Sequence, residues 1–254
     1  MTLLAVERIK LFSTRSPWWC LFAALALTVG FAAINAGTTD VAEWIDVPST
    51  QFGYQFGLAV ILVMAALTIT TEYRFNTIKT TFQAAPNRTS ALLAKTTVVA
   101  LTTGLLGLVA AFGSLGISKL IKPGADLALN SQADWRAVAG VGLVMAIASI
   151  VAMSVGILIR HTAGAVSLLL AYALMVESLV QIIPKVGQDI HKWLPFNVAY
   201  RFLTGNPDLS GRPEGAGPPP SDSTLDPWWA LAYFVAFALV MLTIAIVTAK
   251  KRDA

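Results

Sequence analysis

The sequence predicts an all-α, polytopic membrane protein, and three observations carry that prediction. Apolar residues make up 56% of the 254 residues and charged residues only 13%, whereas soluble domains are about a quarter charged. Several apolar runs reach the roughly 20 residues that a helix needs to cross a bilayer. The cations gather at the ends of those runs rather than inside them, as the positive-inside bias requires. The mean hydropathy of +0.68 agrees. The formal net charge of +4 is then a feature of topology, and no nucleic-acid partner is expected. Cys20 is the single cysteine, which excludes an intrachain disulfide. Two histidines, His161 and His191, offer no multi-histidine metal site.

Residues 2–15 set Leu3, Leu4, Ile9, Leu11 and Phe12 among Glu7, Arg8, Lys10 and Arg15. That pattern suits an amphipathic helix at the membrane interface; a plain basic leader is the other reading. The apolar run from Trp18 to Ala36 exceeds the 7–15 residues, roughly, of a signal-peptide core, so it reads as a retained first span, about 18–36. Asp40, Glu43 and Asp46 follow without a cation, as expected outside. The second span is about 52–71. Its Gly53 and Gly57 form a small-x-x-x-small pair that permits close helix approach, or arise by chance in a glycine-tolerant helix. The third span is about 96–118, made pliable by Gly104, Gly107, Gly113 and Gly116. The fourth is about 137–159. Arg160-His161 makes a tight turn into the fifth, about 162–183. Residues 185–204 are too polar to span and fit short helices at the outer interface or dipping partly into the membrane. Residues 205–227, with Pro218-Pro219-Pro220, read as an irregular loop. The sixth span is about 228–248, and Lys250-Lys251-Arg252 closes it. The whole chain, 1–254, thus reads as one transmembrane domain. Trp18, Trp19, Trp135, Trp193, Trp228 and Trp229 fall near expected interfaces, where an aromatic belt accounts for them.

The polar insert from Glu72 to Lys95 organises this plan. It carries Arg74, Lys79, Arg88 and Lys95 against one acid, Glu72, and belongs on the cytoplasmic side. Phe75, Ile78, Phe82 and Ala85 recur at helical spacing, so 72–86 reads as a short amphipathic helix. Pro86-Asn87 should end it. Such a helix lies on a membrane surface or docks in a partner's groove. With this connector inside, eleven of the 18 cations lie inside against Glu7, Glu72 and Asp253, while seven cations face ten acids outside. Both termini are then cytoplasmic, in the inner (plasma) membrane.

The acid-Tyr-Arg opening, the short helix ending in Ala-Pro-x-Arg and the Leu-Leu-Ala-Lys leading into the next span resemble the type-2 ABC exporter permeases. The likeness extends over the basic N-terminal segment and the order of spans. It implies that 72–86 is a coupling helix docking on a separate ATPase through Glu72, Tyr73, Arg74, Phe75, Ile78, Lys79 and Phe82. It further implies two ATPase copies, each with one permease, and a second permease that is the same or a homologous chain. ATP and magnesium would be bound by the ATPase chain, and the resemblance implies no cofactor on this one. The expected function is export of an amphiphilic, drug-like or lipid-like cargo, because the spans are almost wholly apolar. Without the resemblance, Glu72-Tyr73-Arg74 also fits headgroup anchoring; in the coupling reading Glu72 would pair with Arg74 or with a cation on the ATPase.

No Gly-x-x-x-x-Gly-Lys-Ser/Thr stretch and no nucleophile–base constellation is visible, so the chain is not expected to be an enzyme. Glu177 is the clear ionisable residue within a span, where a charge needs a partner or a wet cavity. It reads as a substrate-path or gating residue, or as a side chain reaching toward the outer interface. Gln181 and Lys185 stand at helical spacing from it. His161 and His191 read as solvated. A non-transporting scaffold subunit of a larger membrane complex is the alternative, since it would keep the spans but need no docking helix. An ion-coupled secondary transporter is disfavoured by the scarcity of charges within spans.

Overall fold

The computed structural model describes residues 3–39, 41–84, 87–205 and 221–252, apart from the side chains of Glu43 and Ala84. Asp40, Ala85, Pro86, Pro218-Pro219-Pro220 and Asp253 lie outside the described residues. The protein is a helical, multi-pass membrane protein with no strand among the described residues. Six helices are long and apolar enough to cross a membrane. In order, α1 is Leu3–Ser13, α2 Arg15–Thr38, α3 Tyr54–Arg74, α4 Thr77–Ala84, α5 Arg88–Ile121 and α6 Gln132–Ile159. The fifth span joins α7 (Thr162–Ala171), a π turn (Tyr172–Val176) and α8 (Glu177–Val180). Short α9 (Gly187–His191) and α10 (Pro195–Thr204) follow, and α11 (Pro227–Arg252) is last.

The fourth span is the centre of the bundle. Two thirds of its apolar window (67%) is buried, against 17% for the fifth span, because α3, α5 and α11 all pack on α6. Glycines allow the closest approaches. A Cβ at Gly57 would meet the Thr28 hydroxyl at 2.0 Å, so α2 and α3 touch along the small-x-x-x-small stripe. A Cβ at Gly107 would meet Gly142 Cα at 2.9 Å on α6. A Cβ at Gly116, by contrast, would meet no neighbouring atom within 4 Å among the described residues. Thr103 Oγ1 hydrogen-bonds Ser149 Oγ at 3.1 Å, which ties α5 to α6 through a polar pair.

Three boundaries differ from expectation. The second span runs on through Arg74 as α3, so Glu72 sits on its last turn. The third span starts eight residues early, at Arg88, because Asn87 caps α5 by accepting the Ser90 N–H at 2.7 Å. What remains of the expected 72–86 helix is α4, set off from α3 by Asn76 at φ 58°, a left-handed turn that asparagine tolerates. The fifth span leaves α-helical form at Val180. α10 is tucked inward between α6 and α11, with Phe196, Val198, Phe202 and Leu203 buried.

Candidate functional site

Beneath the bundle, four segments converge on one buried charge cluster. Lys95 lies on the inner face of α5, with 4% of its side chain exposed. Its amine donates to Glu7 Oε2 on α1 and to Glu72 Oε1 on α3, at 2.5 and 2.9 Å. Lys10, one turn after Glu7, donates to Glu7 Oε1 at 3.0 Å and lies 3.6 Å from Glu72 Oε1. It also donates to the Thr81 hydroxyl of α4 at 2.9 Å. Two carboxylates and two amines therefore cancel in formal charge. Burial of such ions is tolerable only when each is paired and hydrogen-bonded, and here α1, α3, α4 and α5 each supply a partner.

α4 has two sides. Ile78 is buried and Phe82 packs against the core cluster. The Arg88 guanidinium lies 5.7 Å over the Phe82 ring. Arg74, Phe75 and Lys79 face outward, and Phe75 is 67% exposed. Arg74 rests 5.5 Å over the Phe75 ring, making one cationic, aromatic knob. Tyr73 points the other way, under the Arg160 guanidinium at 4.9 Å, so the end of α3 is also pinned to the α6–α7 turn.

At the far end, a cleft of about 640 Å³ opens between the second and fifth spans, beneath α9 and α10. Glu177 lines it. The carboxyl accepts the Phe196 N–H at 3.0 Å and the Asn197 N–H at 2.8 Å, and so caps the start of α10. That arrangement uses the unpaired N–H groups and positive end of a helix. The π turn immediately before Glu177 turns it inward while Leu174, Met175 and Leu179 stay exposed. Asn197 Nδ2 donates to Asp222 Oδ1 at 2.7 Å, and the same oxygen lies 2.7 Å from His191 Nδ1. Gln181 Nε2 lies 2.9 Å from His191 Nε2. The rings of Tyr54 and Tyr200 stack at 5.8 Å. Burial, reinforced by the Asp46 carboxylate, pushes the Tyr200 hydroxyl up to about 12, so it stays a neutral donor.

The family model described as "ABC-2 family transporter protein" matches residues 3–176. The chain belongs to that family. No curated protein matches it. The matched stretch begins at α1 and holds the charge cluster, α4 and the π turn, ending one residue before Glu177. An ABC-2 chain is a transmembrane permease subunit that works with an ABC ATPase.

Several expected contacts of this ABC-2 permease are replaced by others. Glu72 pairs neither with Arg74 nor outward; Lys95 and Lys10 hold it within the chain. The seven residues expected to meet the ATPase divide by exposure: Arg74, Phe75 and Lys79 are exposed, while Glu72, Tyr73, Ile78 and Phe82 are partly or fully buried. Glu177 pairs with neither Gln181 nor Lys185; backbone N–H groups 19 and 20 residues onward take it. His191 is buried rather than solvated, because Asp222 and Gln181 fold over it. His161 is a cap, its Nδ1 accepting the Gly164 N–H at 3.2 Å. On α1 the inward face is Glu7 and Leu11, while Leu4 and Ile9 are about half exposed (47% and 54%). Glu7, Lys10, Lys95, Thr81, Asn197 and Asp222 were not singled out by the sequence. A lone acid in a basic leader, Glu7, was the signal available.

Proposed function

We propose that this chain is the membrane half of an ATP-driven exporter, and that α4 is where a separate ATPase grips it. The observation that carries the reading is the build of the α3–α4 corner: Arg74, Phe75 and Lys79 face outward, while α4 is held to the bundle by Ile78, Phe82 and the Lys10–Thr81 hydrogen bond. A helix held by lipid alone would need its apolar residues facing the bilayer, whereas Ile78 faces protein. In this reading the ATPase closes on ATP and magnesium, which this chain does not bind, and pushes Arg74, Phe75 and Lys79. The charge cluster passes the push to α1, α3 and α5, and the first, second and fifth spans carry it outward. Two permeases, copies or homologues, stand side by side, each on its own ATPase, in the inner (plasma) membrane. Both termini are cytoplasmic, a placement supported by the eleven cations that gather at the α4 end. The cleft between the second and fifth spans is one wall of the path for an amphiphilic, drug-like or lipid-like cargo.

Purification of the native protein from its membrane tests this. An ATPase subunit should co-purify, and hydrolysis should be coupled to transport in vesicles. Phe82→Ala should leave insertion intact but uncouple the two. If no ATPase accompanies the native protein, the exporter reading fails.

A further inference from the structure

Three features of the cleft point to one kind of ligand. The first is charge. Glu177 and Asp222 both line it, and both are bound to Asn197, one through its backbone N–H and one through its side-chain amide. Both carboxyl groups therefore line one cleft around Asn197. Lys192 also lines the cleft but already pairs with Asp189 at 2.9 Å. Glu177 has no ion-pair partner among the described residues, and Asp222 Oδ2 has no hydrogen bond among them. When both are ionised, the two carboxyl groups carry two negative charges against at most one positive charge on His191, and a cationic ligand would balance the remainder. The second feature is the aromatic wall of Phe52, Tyr54, Phe56 and Tyr200, whose ring faces attract cations. The third is spare hydrogen-bonding capacity. Gln55 on the second span and Ser178 on the fifth line the cleft, and their side chains make no hydrogen bond among the described residues. The wall is therefore less apolar than the spans alone led one to expect, because α9, α10 and the segment at Asp222 add polar groups to it.

We infer that the cleft binds an organic cation with an aromatic or aliphatic body, its charge beside Glu177 and Asp222 and its body against Phe52 and Phe56. A volume of about 640 Å³ suits a drug-sized ligand. The inference deepens the exporter reading and rests on its assignment of the cleft to the substrate path. The test uses the full chain in nanodiscs of zwitterionic lipid, with empty discs subtracted. Equilibrium dialysis compares tetraphenylphosphonium with tetraphenylborate, two probes of similar shape and opposite charge. The cation should bind saturably and the anion should not. Asp222→Asn keeps the oxygen that faces His191 and Asn197 but removes the charge, and should weaken cation binding about tenfold or more. An unchanged melting temperature shows that this variant is folded. Absence of saturable cation binding, equal binding of both probes, or unchanged affinity in Asp222→Asn would each overturn the inference. Arg74→Ala should bind the cation as wild type does. Failure of cation binding in a preparation that still couples hydrolysis sinks this site alone, whereas cation binding without any ATPase partner sinks the exporter reading alone.

Discussion

The two ends of the bundle each bury carboxyl groups, and they satisfy them by different means. At the α4 end, Glu7 and Glu72 meet the amines of Lys10 and Lys95. At the cleft end, Glu177 meets only uncharged donors, above all the two peptide N–H groups that open α10. The first solution cross-links four segments and cancels its own formal charge, which makes a stiff joint. The second anchors one short helix and leaves its carboxyl group without an ion-pair partner among the described residues, beside an open cleft. The contrast fits a division of labour, with force handled at one end and cargo at the other.

The strongest way to break this contrast is Lys95→Met. It leaves two carboxylates sharing Lys10 alone, and an uncompensated buried charge costs about 3–5 kcal/mol. Melting followed by size-exclusion chromatography should show that loss. Lys10→Met should cost far less, because its side chain is 37% exposed and water can stand in for it. Equal losses for the two lysines would mean that the cluster is not a joint centred on Lys95.

Glu177→Gln comes next. The amide retains one acceptor oxygen for two N–H groups, and an unsatisfied buried donor costs about 1–3 kcal/mol. The loss should be local: hydrogen exchange at Phe196 and Asn197 should quicken while α6 stays protected. A global loss of protection would show that Glu177 supports the bundle, not α10 alone.

These two sites also mark how far the sequence could be read. The spans were legible because a bilayer demands about 20 apolar residues in a row, and that demand is local. The amphipathic pattern through α4 was legible for the same reason, as Phe75, Ile78 and Phe82 are neighbours in sequence. The partners of the buried charges were not. Glu7 and Lys95 are 88 residues apart, and nothing in a basic leader says that its acid turns inward. For Glu177 the sequence offered only Gln181 and Lys185, at helical spacing. Its actual partners are backbone N–H groups, which every residue but proline carries and which therefore leave no mark on composition. The π turn that aims Glu177 has no residue signature in Tyr172–Val176 either.

Thr81→Val sharpens the comparison at smaller scale. It removes the one hydroxyl by which α4 holds Lys10, worth about 0.5–1.5 kcal/mol. If the joint transmits force, transport coupled to hydrolysis should fall more than this modest loss of stability accounts for. A coupling ratio that stays at the wild-type value would show that α4 moves the bundle through Ile78 and Phe82 alone.

Arg74→Ala should have the smallest effect on stability and separates the two ends most cleanly. Arg74 is exposed and rests over the exposed Phe75 ring, so its loss should shift stability by no more than about 0.5 kcal/mol. Its charge belongs to neither the cluster nor the cleft. On the reading proposed here, the ATPase should then co-purify less well or hydrolyse ATP without moving cargo, while hydrogen exchange at Lys95 and at α10 stays as in the wild type. Unchanged coupling would place the ATPase contact elsewhere on α4, leaving Lys79 as its remaining exposed cation. Faster exchange at Lys95 would instead mean that Arg74 supports the joint, and the division between a presenting face and a holding face of α4 would be lost.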